Sequence, residues 1–296
     1  MAPVVSSCAA GGGADERGGR PSVVVTTNVL GDVVAEVAGD EADVEVVMPL
    51  GADPHDFAAS ARQAEAMERA DLLVVNGAGF EEGLLGVIES AEDAGAPVFV
   101  VTDHVELLQQ AGDAEASESS GDPHVWTDPS RVATAVEALA DRMAEIEGLD
   151  SAAIESRVGA YVGELERLDA EIDDRLGDVP PERRVLVTNH DVFGYFADRY
   201  DFEVIGTVIP SSATNASASA ADIEALADLI RQRRVPAIFG ETTQPTQVAD
   251  ALADEIGDDV EVVELYTESL GEDGSGAETY IEMMRVNAER IAEALA

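Results

Sequence analysis

The chain has 296 residues, of which 46% are hydrophobic; that is room, at ~150 residues per domain, for two modest lobes or one large one, with a real core and little disorder. Its 17 basic residues, all arginine, stand against 61 acidic ones for a net charge of −44, which leaves no basic stripe for nucleic acid and no electrostatic hold on an anionic membrane surface. A single cysteine excludes an internal disulfide or a cysteine-based zinc site, and no apolar run approaches the ~18 residues of a transmembrane helix.

Residues 1–20, MAPVVSSCAAGGGADERGGR, are small, Gly-rich and without periodicity, and read as a leader or tether. From Val23 onward, β-rich runs alternate with helical patterns, the pattern of βαβ units and parallel sheets. In the first half the runs are Val23–Thr27, Val44–Pro49, Leu72–Asn76 and Val98–Thr102, with helices expected at Val29–Val37, Ala58–Arg69 and Glu81–Ala94. The polar stretch Gln109–Asp122 has no apolar face and reads as an acidic loop. Two long helical patterns follow, Pro129–Gly148 and Asp150–Leu176, the latter with Ile154, Val158, Val162, Leu165, Leu168 and Ile172 at helical spacing. At 1.5 Å per residue the second is roughly 40 Å long, too extended for an ordinary crossover and long enough to span two lobes. Alternation then resumes, with strands at Val185–Thr188, Phe202–Thr207, Ala237–Phe239 and Val260–Leu265. Helices are expected at Val192–Arg199, Ala220–Gln232, Pro245–Ile256 and Ala277–Leu295. Arg231, Arg233 and Arg234 fall at a helix C-terminus, where cations suit the dipole, and not in a binding patch.

Chemistry concentrates on histidine. Of four in the chain, His55 lies in GADPHDF, His124 in DPHVWTDP and His190 in VTNHDVF, each at a strand end or in a loop before a helix. That rim is where open α/β sheets place ligands. Any one alone reads as a solvated histidine in an acid-rich chain. Three in such settings, two of them in a repeated Asp-Pro-His triplet, read as metal ligands, with Asp53, Asp56, Asp122, Asp128 and Asp191 close enough in sequence to hold the second ring nitrogens. His104, in TDHV, lacks that setting and reads as a surface residue.

The segment GADPHDFAASARQAEAMERADLLVVNGAGFE (Gly51 to Glu81) resembles the first metal-binding segment of the zinc and manganese solute-binding proteins of ABC transporters, the cluster A-I family. DPHVWTDP resembles their second segment and NHDVFGYFADRYDFEVIG their third. AIFGETTQPTQVADALADEIG and LYTESLGEDGSGAETYIEMMRVN are similar to two characteristic stretches of the C-terminal lobe, all in the family's order. The resemblance implies an α/β fold of two lobes, each with a central, mainly parallel sheet flanked by helices, joined by one long rigid helix. The divisions expected are a leader over 1–20, a metal-binding lobe over 21–148, the linking helix over 149–179 and a second metal-binding lobe over 180–296. One divalent ion would lie between the lobes, held by His55, His124, His190 and Glu268. Most members carry aspartate where Glu268 stands, and many zinc importers carry a histidine-rich loop where this chain has the acidic Gln109–Asp122.

Three imidazoles and one carboxylate favour Zn2+, with Mn2+ and Fe2+ as the alternatives. The resemblance further implies an extracytoplasmic, non-enzymatic protein, a monomer that delivers metal to a membrane permease. Cys8, between VVSS and a Gly-rich tether, is similar to a lipobox cysteine and is expected to carry a lipid anchor at the outer face of the cytoplasmic membrane. Two rival functions are a zinc hydrolase with an open coordination position, in which Glu241 would serve as base, and a surface adhesin. Asn215 heads an N-x-S sequon. The acidity itself suits molar salt, where self-repulsion is screened within ~3 Å, and points to a halophile.

Overall fold

The computed structural model describes residues 19–109, 121–209, 214, 218–257 and 260–296. Cys8, most of the acidic loop and Asn215 lie outside the described residues. The first sheet is built from β1 (Ser22–Val25), β2 (Asp43–Val46), β3 (Leu72–Val75) and β4 (Val98–Val100), with α1 (Asn28–Ala38), α2 (Ala61–Glu68) and α3 (Leu85–Asp93) between them. Then come α4 (Pro129–Met143) and the 26-residue α5 (Ser151–Leu176). The second sheet takes β5 (Val185–Thr188), β6 (Glu203–Thr207), β7 (Ala237–Glu241) and β8 (Glu261–Leu265). Its helices are α6 (Gly194–Tyr200), α7 (Ala220–Arg233), α8 (Gln247–Ile256) and α9 (Tyr280–Leu295).

Both sheets are parallel and share one strand order, β2-β1-β3-β4 and β6-β5-β7-β8. The central strands are continuous apolar runs because helices cover both faces: Val23–Val25, Leu72–Val75 and Val185–Val187 are buried throughout. Polar residues alternate into the edges, as in Asp43-Val-Glu-Val46, where pairing with another chain is to be avoided.

The inner faces of the two sheets do not form separate cores. Val25 and Val74 from one sheet and Leu186 and Phe239 from the other belong to a single apolar cluster with α1, α4, α5 and α9. Helix α5 joins them through one stripe, Ile154, Val158, Tyr161, Leu165, Leu168, Ile172 and Leu176, and packs on α1, α4 and α9. Two smaller clusters fill the outer faces, one around Met67, Leu73 and Leu84, the other around Ile230, Ile238 and Leu252.

Several helix boundaries differ from the sequence reading, and capping explains two of them. Helix α2 begins at Ala61, not Ala58, because Ser60 and Gln63 form a reciprocal capping box. Helix α9 begins at Tyr280, not Ala277, because Thr279 and Glu282 do the same. Helix α4 stops at Met143, five residues before Gly148; a series of turns leads to that glycine, whose φ is +100°. The segment expected as one helix from Glu81 opens with a short 3-10 turn over Glu82–Leu84 before α3.

Candidate metal centre

All four groups singled out in the sequence leave the C-terminal side of a strand, the edge where parallel sheets present backbone and loops to a ligand. His55 lies between β2 and α2, His124 between β4 and α4, His190 two residues past β5, and Glu268 three past β8. Their donor atoms all lie within 4.8 Å of one another, and all four side chains are buried. The rings face each other at centroid distances of 6.0 Å (His55–His124), 5.7 Å (His55–His190) and 5.3 Å (His124–His190).

Glu268 Oε1 is the meeting point, 3.0 Å from His55 Nε2, 3.2 Å from His190 Nε2 and 3.7 Å from His124 Nε2. Donors ~2.0 Å from a tetrahedrally bound ion are separated by about 3.3 Å, so these spacings bracket the edge of such a site. Four buried atoms in the cluster have no hydrogen-bond partner: His124 Nε2, His190 Nε2, His55 Nδ1 and Glu268 Oε2. Each such orphan costs about 1–3 kcal/mol when nothing meets it. A bound cation would satisfy inward-facing lone pairs together.

Two of the imidazoles are oriented by carboxylates. Asp122 Oδ1 accepts from His124 Nδ1 at 2.7 Å and from the His124 backbone N–H at 2.9 Å. Glu241 Oε1 accepts from His190 Nδ1 at 2.5 Å and from the His190 N–H at 3.2 Å, while Glu241 Oε2 takes a hydrogen bond from Thr267. With Nδ1 donating outward, each ring turns the Nε2 lone pair to the centre. For His55 the corresponding group is Glu82, its Oε1 3.7 Å from Nδ1 and its side chain 41% exposed.

Electrostatics follow from the same contacts. Burial is the largest influence on His190 and opposes its charging, but Glu241 and Glu268 outweigh it and hold the imidazole well above its usual pKa. His124 is raised in the same way, burial opposing and Asp122 and Glu268 prevailing. Burial likewise acts against ionising Glu268, yet the three histidines, His190 foremost, bring its carboxyl well below the ordinary range. The neighbouring charges thus favour one another, positive on the His124 and His190 rings and negative on Glu268.

The surrounding wall is made by two segments. Gly77, Ala78 and Gly79 all take positive φ (+91°, +50°, +79°), and a side chain on Gly77 would strike Thr102 and Val100. This turn delivers Phe80 edge-on to His55, with ring centroids 5.1 Å apart, and close to Trp126 at 4.7 Å. The adjacent Glu81 anchors the turn by accepting from Thr26 Oγ1 and the N–H groups of Asn76 and Gly77. Trp126 in turn donates its indole N–H to the Thr267 carbonyl at 2.7 Å, and Tyr280 donates its hydroxyl to the Trp126 carbonyl. Glu268 is thus located from the other half of the molecule as well as from its own strand.

Of the five aspartates expected behind the rings, Asp122 alone is seen on a ring nitrogen. His190 is served not by its neighbour Asp191 but by Glu241, which the strand pairing of β5 with β7 brings alongside from 51 residues away. Asp53 accepts the His55 backbone N–H, Asp56 is exposed, and Asp128 caps α4 while pairing with Arg131. Glu82 was not identifiable beforehand; its only sequence signal is an acidic pair after the Gly-rich turn. His104 is exposed, stacked on Phe99 and absent from the cluster. Arg231 and Arg233 occupy the last turn of α7 and Arg234 its C-cap.

A two-lobed parallel α/β protein with a buried His3Glu cluster belongs to the class of metal-specific solute-binding proteins. The family profile "Zinc-uptake complex component A periplasmic" (ZnuA) matches residues 23–294, and the chain belongs to this family of uptake components, not to a family of enzymes. It is 34% identical over 282 residues to the zinc-binding protein TroA of Treponema pallidum, covering 94% of this chain and 90% of that one. It is 30% identical over 298 residues to the manganese-binding lipoprotein MntA of Halalkalibacterium halodurans, covering 99% and 96%. The solved structure of the periplasmic zinc-binding TroA superposes with a TM-score of 0.85 at 33% identity, over 94% of this chain and 100% of that one.

Proposed function

We propose that this chain captures one divalent transition-metal ion outside the cytoplasm and delivers it to the membrane permease of an ABC importer, with His55, His124, His190 and Glu268 as the ligands. The observation that carries this reading is the convergence of four buried donor groups within 4.8 Å, with His124 Nε2, His190 Nε2 and Glu268 Oε2 left without a hydrogen-bond partner. Zinc is the favoured cargo, because three imidazoles and one carboxylate make a compact nitrogen-rich set; manganese is next, then iron(II). Relatives named for zinc and for manganese stand at similar distance from this chain, so the donor set carries that preference. Glu268 fills a fourth position that a catalytic zinc site leaves to water, and Glu241 is committed to His190, which disfavours hydrolysis.

The working division is a first metal-binding lobe over 21–148, a linking helix over 149–179 and a second lobe over 180–296, preceded by a 1–20 tether with a lipid on Cys8. Function as a monomer is part of this reading. The lobes share one apolar core, so wide hinge opening would expose the α5 stripe; small tilts and loop shifts cost far less. No described helix is long and apolar enough to cross a membrane, and a lipid anchor would supply the attachment.

The test is elemental analysis of protein purified without chelator, followed by competitive titration with zinc and manganese. One ion per chain and tighter zinc binding are expected. Absence of stoichiometric binding would overturn the proposal, and tighter manganese binding would overturn the choice of cargo.

A further inference from the structure

The segment that carries His55 is tied to the opposite lobe at two points near the site. The Gly51 N–H donates to Ser269 Oγ at 2.8 Å, next to Glu268 in sequence. Asp53 makes the second tie with a single carboxylate oxygen: its Oδ2 accepts from Thr214 Oγ1 and from Gln244 Nε2, both at 2.5 Å. Thr214 belongs to the connection between β6 and α7, and Gln244 to that between β7 and α8. The other oxygen, Oδ1, accepts the backbone N–H of His55 at 2.9 Å.

One half-buried side chain thereby joins the peptide of a donor in the first lobe to two loops of the second. Its importance follows from how the other histidines are held. Asp122 and Glu241 grip the Nδ1 atoms of His124 and His190 at 2.7 and 2.5 Å, whereas the carboxylate oxygen shown at His55 Nδ1, from Glu82, is 3.7 Å away. The position of His55 therefore depends more on its backbone, and its backbone is held by Asp53. Because the lobes share a core that resists wide opening, the route to metal loss that disturbs least is displacement of this one segment.

We propose that Asp53 is an inter-lobe latch, a positioning residue that keeps His55 on the ion by bridging its peptide to Thr214 and Gln244 and so sets the rate of metal release. This rests on the metal-binding reading above. Three variants separate the latch from a local turn. Asp53→Ala removes both functions. Asp53→Asn retains an acceptor for the His55 N–H but replaces the oxygen that receives Thr214 and Gln244 with a donor. The double change Thr214→Val and Gln244→Ala removes the partners alone.

Each protein, loaded with one equivalent of zinc, is mixed with excess chelator in a stopped-flow instrument, and association is measured separately. Asp53→Asn and the double variant should both release zinc about 10- to 100-fold faster than wild type, the range seen when groups behind a metal ligand are lost. Association should stay within about twofold, and Asp53→Asn combined with the double variant should release no faster than Asp53→Asn alone, since coupled groups are not additive. Metal-free melting temperatures report any general damage; a loss of release control that tracks them overturns the proposal. Wild-type release from Asp53→Asn, or from the double variant, overturns the latch while leaving metal binding intact. A wild-type chain that takes up no metal overturns the parent reading and the latch with it.

Discussion

Replacing His190 by alanine removes the donor whose surroundings are most fully built. In the intact site its Nε2 lies 3.2 Å from Glu268 Oε1, and its Nδ1 is held by Glu241 at 2.5 Å. Four-ligand zinc sites bind with roughly 10–16 kcal/mol, so one donor in four is worth about 2.5–4 kcal/mol, or roughly 10²- to 10³-fold in affinity. The substitution also leaves Glu241 and Glu268 both buried without the imidazole that neutralises them, which places the expected loss toward the upper end. His104→Ala is the matched control: the same chemical deletion, on an exposed ring stacked against Phe99 at a centroid distance of 4.4 Å. Competition calorimetry with a zinc chelator of known strength should show the large loss for His190→Ala and less than about twofold for His104→Ala. Equal losses, or a fall below tenfold for His190→Ala, would refute the assignment of donors.

Four further outcomes follow from the charges. His124 and His190 are raised above 6.5 in the metal-free fold, so metal must displace their protons: affinity should climb with pH through the raised values and level off above them, with proton release seen as a buffer-dependent heat. The same histidines stabilise the metal-free fold below 6.5 and lose that contribution as pH rises through their folded values. Glu268, depressed below 4.5, loses its contribution only as pH falls through its folded value; a metal-free melting profile should show both flanks. Asp32 accepts the Tyr280 N–H at the start of α9, and burial, aided by Glu36 and Glu282, raises it from 3.8 to about 6. Its charge is therefore a cost above that pH, and Asp32→Asn, which keeps the acceptor, should stabilise the protein by up to about 2 kcal/mol near pH 8 and by little near pH 4 in denaturant titrations. Finally, a net charge of −44 should make the melting temperature rise steeply from ~0.1 to ~2 M KCl as screening shortens from ~10 Å to below ~3 Å; a flat response would remove the halophile reading.

How much of this was visible in the sequence depended on the range of each interaction. Strands such as Val23–Val25 and Leu72–Val75 were legible because burial on both faces demands continuous apolar runs, and α5 because its stripe repeats over about six turns. Helix starts were misplaced where a capping side chain, Ser60 or Thr279, decided the boundary against a uniform helical composition. His55, His124 and His190 were legible as candidates from their place at strand ends. Glu268 was not, since one glutamate among many acidic residues carries no local signal; the resemblance alone singled it out. The grip of Glu241 on His190 was hidden for a different reason. It depends on β5 lying beside β7, a pairing that sequence order does not state. The Asp53 contacts to Thr214 and Gln244 are likewise products of lobe placement.

X-ray absorption at the zinc edge of the one-to-one complex tests the central claim most directly, because it counts and identifies the atoms around the ion. Three imidazole nitrogens and one carboxylate oxygen at about 2.0–2.1 Å are expected, with the imidazole count falling to two in His190→Ala. A sphere dominated by water and carboxylate oxygen, or an imidazole count unchanged by that substitution, would contradict it.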